Sequence, residues 1–306
     1  MNRRTPSAPQ SGYSELVSSF LQTDGYIGAS AAKTLVVTGG TDGLGRAVAL
    51  HYLARGAEVV IIGRDAAKGA ALLAEAARRG APGRAHFIAA DLSLIAETRS
   101  AIEEVRSLVD SIDALVLCAR HFHSTRTVTT EGFESNLALF YLSRFVTSHD
   151  MVDLLDAAPE PVILNVAGPT GTGAAEIRWD DLGLEHGYDG RTAMQHGGPL
   201  NDLLGVGFTL RQPTSKVRYV LLHPGIVDTG FSGQYDAADA AHVAAIRDIA
   251  APVEQAVRPI LAVLDEPPAA PLSAVVQGVP ISIEGPAFDV EDAKRLYAET
   301  ERLLSR

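Results

Sequence analysis

The chain has 306 residues, 46% of them hydrophobic and 21% charged, a globular balance that argues against a disordered or membrane-embedded protein. Its formal net charge is -11, with 37 acidic against 26 basic residues and no basic cluster able to neutralise successive phosphates, which argues against a nucleic-acid partner. No run approaches a membrane span in length, and the single cysteine, Cys118, cannot form an intramolecular disulfide, so the expectation is a cytoplasmic protein with no membrane partner and no metal.

The opening residues MNRRTPSAPQ carry positive charge but no apolar stretch follows them, so they do not read as a signal peptide. Residues 1–32 are assigned to an N-terminal arm, with a short helix from Ser14 to Leu21, and residues 33–306 to one domain. Strands are expected at Leu35–Val37, Val59–Ile62, Phe87–Ala90, Leu115–Leu117, Val162–Val166 and Val217–Leu222. Between them run helical spacings, such as Leu44, Val48, His51 and Tyr52 on one side, then Ile102, Val105 and Val109. This alternation predicts βαβ units in a doubly wound, Rossmann-type α/β fold, a parallel sheet with helices on both faces. Beyond Pro224 come an Ala-rich helix (Ala237–Ile249), a Pro-rich link (Glu266–Pro271), a last strand near Ala274–Gln277 and a charged helix from Val290. Residues 230–271 are expected to form a C-terminal lid of this single domain.

Directly after the first strand stands Thr38-Gly39-Gly40-Thr41-Asp42-Gly43-Leu44-Gly45, with a helical pattern behind it. Glycines there permit a tight turn and close approach to a diphosphate, and the helix N-terminus presents N–H groups to the anion. About 20 residues on, where such folds place an acid for the adenosine ribose or a basic residue for a 2′-phosphate, the sequence reads Gly63-Arg64. No acid holds the key position and a guanidinium grips phosphate well, so NADP(H) is preferred to NAD. Asp42 would oppose the extra phosphate, and a surface pairing of Arg64 with Asp65 is the alternative.

On these residues the chain resembles the short-chain dehydrogenase/reductase family, whose TGxxxGxG motif matches Thr38 to Gly45. It is most similar to the retinol-dehydrogenase and protochlorophyllide-reductase-like branch, through Gly63-Arg64-Asp65 and Ile177-Arg178-Trp179-Asp180-Asp181-Leu182. The resemblance implies that Gly39, Thr41, Gly43, Leu44, Gly45 and Arg64 hold the phosphates. It likewise places Asp91, Leu92 and Ala119 at the adenosine, and Pro224, Gly225, Val227 and Thr229 of the His223–Thr229 segment beside the nicotinamide.

The same alignment shows where the chain departs. In place of the family's YxxSK helix stands Met194-Gln195-His196-Gly197-Gly198, so Met194 replaces the proton-donating Tyr and Gly198 the Lys. Gly168 takes the place of the Ser and Phe140 that of the Asn, with Asn136 one helical turn away. The NNAG segment has become Leu117-Cys118-Ala119-Arg120.

A pocket lined by Met194, Phe140 and two glycines is expected to be large and apolar and to take a small apolar substrate. Three functions remain open. The first is an NADP(H)-dependent oxidoreductase reducing a substrate that needs no enzyme proton, an iminium or an internally hydrogen-bonded ketone. The second is non-redox chemistry (cyclisation, dehydration or isomerisation) with His121, His123 or His196 as acid or base. The third is a catalytically silent NADP-binding protein. The resemblance also implies a homodimer through two long helices, near Glu131–Leu155 and Thr192–Leu210, the second weakened by Gly197-Gly198-Pro199.

Overall fold

The computed structural model describes residues 33–169, 176–231 and 233–305. The N-terminal arm and the helix expected from Ser14 to Leu21 lie outside the described residues.

Strand β1 (Thr34–Thr38) passes through the glycine turn into α1 (Gly43–Ala54), whose first amide is capped by the Asp42 carboxylate. β2 (Glu58–Gly63) leads through Asp65, which accepts from the amides of Ala67 and Lys68, into α2 (Ala66–Arg78). β3 (Ala85–Ala89), α3 (Ile95–Leu108) and β4 (Ala114–Leu117) follow. The N-cap Leu94 offers α3 no side-chain acceptor, so Glu131, from a distant loop, takes the amides of Ile95 and Ala96 at 2.6 and 2.9 Å.

After the short β5 (Phe122–His123), the chain is helical in consecutive pieces: α4 (Ser135–Leu137), a π-helical turn (Ala138–Leu142), α5 (Ser143–Asp150) and α6 (Val152–Asp156). Next come β6 (Val162–Asn165), the long α7 (Gly190–Arg211), β7 (Arg218–His223) and β8 (Gly233–Gln234). The last part comprises α8 (Ala237–Arg247), α9 (Val253–Ala256), α10 (Arg258–Asp265), the hairpin β9 (Leu272–Val276) and β10 (Val279–Ile281), and α11 (Val290–Leu304).

The main sheet has the order β10-β9-β7-β6-β4-β1-β2-β3, parallel throughout except for β10, which runs antiparallel to β9. The doubly wound reading of the alternating pattern is thus what the chain adopts. Side chains alternate across the sheet, so each strand feeds two cores. Val36, Val60 and Ile62 face the core shared with α3, α7 and α11, whereas Leu35, Val37, Val59 and Ile61 face the one shared with α1, α2 and α10.

Two elements differ from the expectation. β10 is an additional strand: Gln277 and Gly278 both take positive φ, 49° and 87°, and reverse the chain, and Pro280 is tolerated because β10 is an edge. α7 runs unbroken for 22 residues despite Gly197, Gly198 and Pro199, all of which are buried. Tertiary contacts override the local propensity there: Asn201 Nδ2 on the same helix donates to both the Gly197 and the Phe140 carbonyl, each at 2.8 Å.

Candidate functional site

At the carboxyl ends of β1, β2, β4 and β7, where the strand order reverses between β1 and β4, lies a cavity of about 520 Å³. Open α/β sheets bind ligands at this switch point. Gly39, Thr41, Gly43, Leu44, Gly45, Arg64, Asp91, Leu92, Ala119, Pro224, Gly225, Val227 and Thr229 all line it. Two glycines are required by geometry. Gly39 has φ of 66°, and a Cβ on it would lie 2.8 Å from the Ala119 Cα; one on Gly45 would lie 2.5 Å from the Gly39 carbonyl oxygen. The backbone is therefore packed as a cradle too tight for side chains, and α1 begins at its wall.

At one end stands Arg64, exposed and, among the described residues, without a hydrogen bond or ion pair to the protein. The pairing of Arg64 with Asp65 considered from the sequence does not occur, because Asp65 Oδ1 is taken by the amides of Ala67 and Lys68, both at 3.0 Å. Lys68, which the sequence reading did not single out, is a second cation on this wall, and its ammonium pairs with the Asp42 carboxylate. The acid expected to oppose a 2′-phosphate is thus engaged. The signal was available: Lys68 follows Arg64 by four residues in the first turn of α2. Asp91 is oriented by its neighbours, accepting from the Ser93 amide and hydroxyl at 3.0 and 2.7 Å.

His121 also faces this end. Its Nε2 lies 2.8 Å from Ser135 Oγ, its Nδ1 has no partner among the described residues, and its ring sits 4.3 Å from that of His123. Burial pushes its pKa down to about 4, helped by the fields of His123 and Arg64 and opposed by Asp91. His123 is also lowered, by burial and then Arg64; it bonds Thr127 Oγ1 at 3.2 Å and does not line the cavity. His196 lies inside the fold: its Nε2 accepts from the Arg178 amide at 3.1 Å, and burial pushes it down to about 4. Asn136 belongs to a separate cluster, donating to Tyr188 Oη at 2.9 Å and to Glu134 Oε1 at 3.1 Å.

The positions aligned with the missing catalytic set come together around α7, but only Met194 reaches the cavity. The expectation that Phe140, Gly168 and Gly198 join Met194 in lining the pocket is corrected, while the cavity surface itself is more apolar than polar. Phe140 is buried, and the guanidinium carbons of Arg120 and Arg144 each lie 4.6 Å from its ring centre. A Cβ on Gly197 would overlap that ring, a Cβ on Gly168 would overlap Asp202 Oδ1, and Gly198 is buried within α7. Vacated volume has been filled by neighbouring side chains, as close packing demands. Beside its apolar surface the wall also carries polar groups: Arg120, Arg191, His223, Tyr235, Asp239 and His242.

Of residues 230–271, expected as a lid, Phe231, Tyr235 and the α8 residues Asp239, His242, Val243 and Ile246 border the cavity. This part is tied down by the pairing of β5 with β8 and by the Phe122–Tyr235 stack, with ring centres 5.4 Å apart. The rest serves the core, with Val257, Ile260, Val263 and Leu264 buried. No helix among the described residues is long and apolar enough to cross a membrane, and no side-chain cluster among them could hold a metal.

Comparison with known proteins agrees with this geometry. The family model for short chain dehydrogenases matches residues 33–177. A Streptomyces sp. (strain C5) protein whose name proposes daunorubicin C-13 ketoreductase activity is 31% identical, over 66% of this chain and 68% of its own. Mouse retinol dehydrogenase 14 is 28% identical over 68% and 65% respectively. The match spans about three fifths to two thirds of the length of such curated relatives. Among solved structures, a Brucella melitensis 3-ketoacyl-(acyl-carrier-protein) reductase complexed with NADH superposes with a TM-score of 0.60, at 20% identity, over 82% of this chain and all of that one. A Burkholderia cenocepacia short chain dehydrogenase in complex with NADP gives 0.61 at 20% identity, over 81% and 97%.

Proposed function

Because the chain belongs to the short-chain dehydrogenase/reductase family, in its retinol-dehydrogenase-like branch, we propose that it is an NADP(H)-dependent oxidoreductase whose substrate needs no proton from the enzyme. The observation that carries this reading is the composition of a single cavity. The residues aligned with the family's cofactor site all line it, while its wall at the proton-donor position is Met194. The solved relatives hold NADH in one case and NADP in another; here the choice of NADP(H) rests on Arg64 and Lys68, with no acid at the end of β2.

In this reading the glycine turn and the start of α1 hold the diphosphate, Arg64 and Lys68 the 2′-phosphate, and the Pro224–Thr229 segment the nicotinamide. The cofactor supplies a hydride. The protein supplies position, a large part of the barrier when reacting atoms are held in line. Met194 can donate no proton, so the substrate must either carry its positive charge already, as an iminium does, or hold an internal hydrogen bond, as a ketone beside its own phenol does.

We assign His121, which lines the cavity together with Arg64 and Asp91, to cofactor binding; burial keeps its ring neutral at ordinary pH, so it is not the missing proton donor. The test is NADPH consumption with three compounds of similar size: a cyclic iminium, an ortho-hydroxyaryl ketone and a plain aryl ketone. Reduction of either of the first two, with the third untouched, is expected. Equal reduction of the plain ketone would overturn the proposal, since it would require an enzyme acid.

A further inference from the structure

The cavity contains a second unused cation, distinct from Arg64. Arg120 stands just beyond β4 and exposes its side chain to the cavity. Among the described residues its guanidinium makes no hydrogen bond and no ion pair; its close contact is the face of Phe140, at 4.6 Å. Arg144, on the same ring, is 1% exposed and turned inward, donating from its two terminal nitrogens to Asn165 Oδ1 and, at 2.9 Å, to the Ala119 carbonyl. It helps to fix the surface on which Arg120 lies.

The two unused cations serve different regions. The field of Arg64 is felt by His121 and His123, that of Arg120 by His223 and Tyr235. Arg120 is thus beside the segment assigned to the nicotinamide, in the cavity that Met194 also lines. The carboxylate at this end, Asp239, is already held by Arg191 at 3.3 Å. A guanidinium stays charged and has five donors in a fixed fork. Presenting them to the cavity without a bonded acceptor among the described residues leaves room for a bidentate, charge-assisted bond to an oxyanion.

We propose that Arg120 binds an oxyanion carried by the substrate, so that the substrate class is a compound with an apolar body and a carboxylate separate from its reacting group. The apolar body would lie against Met194, Val243, Ile246 and Phe231. The carbonyl or iminium of that substrate rests on the oxidoreductase reading; the anion site does not.

The test uses two fluorescent probes of nearly equal shape, anilinonaphthalene sulfonate and the uncharged phenylnaphthylamine, titrated into the wild type, R120Q and R120K, with NADPH affinity measured alongside. The sulfonate should bind the wild type about tenfold or more tightly than the neutral dye, a difference of about 1.4 kcal/mol. R120Q should bring the two dyes within about twofold, and R120K should keep part of the preference because it keeps the charge. NADPH affinity should change by less than about twofold in both variants. The proposal is overturned if R120Q keeps the sulfonate preference, or if NADPH binding falls about tenfold while that preference stays, which would give Arg120 to the cofactor's diphosphate. Thermal unfolding of each variant shows that the comparison is between folded proteins. Failure of hydride transfer with the dye result intact would contradict the oxidoreductase reading alone.

Discussion

At the residue scale, Arg64 and Met194 are the two side chains that set the proposed cofactor choice and chemistry. Arg64 makes no bond to the protein among the described residues, so its removal should cost little stability and should act on the ligand. A lost charge-assisted bond is worth about 1.5–3 kcal/mol, roughly 10- to 150-fold in affinity. R64A should therefore weaken NADPH by about tenfold or more and leave NADH within about twofold; equal loss for both would remove Arg64 from the 2′-phosphate site. K68A should also weaken NADPH more than NADH, because it removes a cation and releases the Asp42 carboxylate that Lys68 pairs with. Met194 lines the cavity and is half-buried, so M194Y would place a hydroxyl there. Reduction of a plain aryl ketone should rise at least about tenfold, short of the 10²–10⁴ of a complete general acid, since no Lys tunes it. No gain would contradict the alignment of Met194 with the family Tyr.

The residues at this scale were unequally legible. That the residues of the glycine turn line the cavity could be read, because a glycine turn between a strand and a helix has one local geometry. Phe140 could not be placed, because whether a large ring fills the pocket or is clamped away from it depends on Arg120, a side chain from another segment, as well as on Arg144 four residues along the same helical run. Lys68 and Arg120 were missed as cations of the cavity wall for a related reason: whether a surface cation is paired or free is decided only when the acids around it are placed in three dimensions.

At the element scale, α7 shows why a local rule failed. Two glycines and a proline in succession predict a weak helix, yet the segment is buried and Gly197 lies directly against the immobilised Phe140 ring. Glycine is there for room, not for flexibility. G197A, favourable by helix propensity, should instead destabilise by about 1–3 kcal/mol through overpacking, read as a lower urea midpoint. A stabilised G197A would show that the ring can move aside. The missed β10 has a similar origin, for Pro280 lowers the strand signal and only the edge position makes it acceptable.

At the scale of the whole molecule, two properties follow. His121, His149 and His196 are each pushed down to about 4, chiefly by burial. The unfolded chain takes up their protons near the ordinary value of 6.5, whereas the folded chain resists until about 4, so stability is lost as pH falls through that window. The summed effect is on the order of a few kcal/mol. The melting temperature should drop clearly between about pH 7 and about pH 5, and a flat profile would contradict the burial of these rings.

Association is the second property. α11 packs on α7, with the Arg211 guanidinium carbon 4.0 Å from the Tyr297 ring centre and the Tyr297 ring against Phe145 and His149 of α5. The helices through which relatives are expected to dimerise are covered by this chain's own C-terminal helix. Sedimentation should show no homodimer through that face: deletion of α11, and not R64A or G197A, is the change that should expose it. A dimer that persists unchanged in a Tyr297→Arg variant would use another surface.

The central claim is that the cavity is an NADP(H) site from which the family's proton donor has been lost. Fluorescence titration of the wild-type protein with NADPH and, in parallel, with NADH tests its foundation most directly. We predict saturable NADPH binding at least about tenfold tighter than that of NADH. No NADPH binding up to roughly millimolar concentration, or NADH binding as tightly as NADPH, would contradict it.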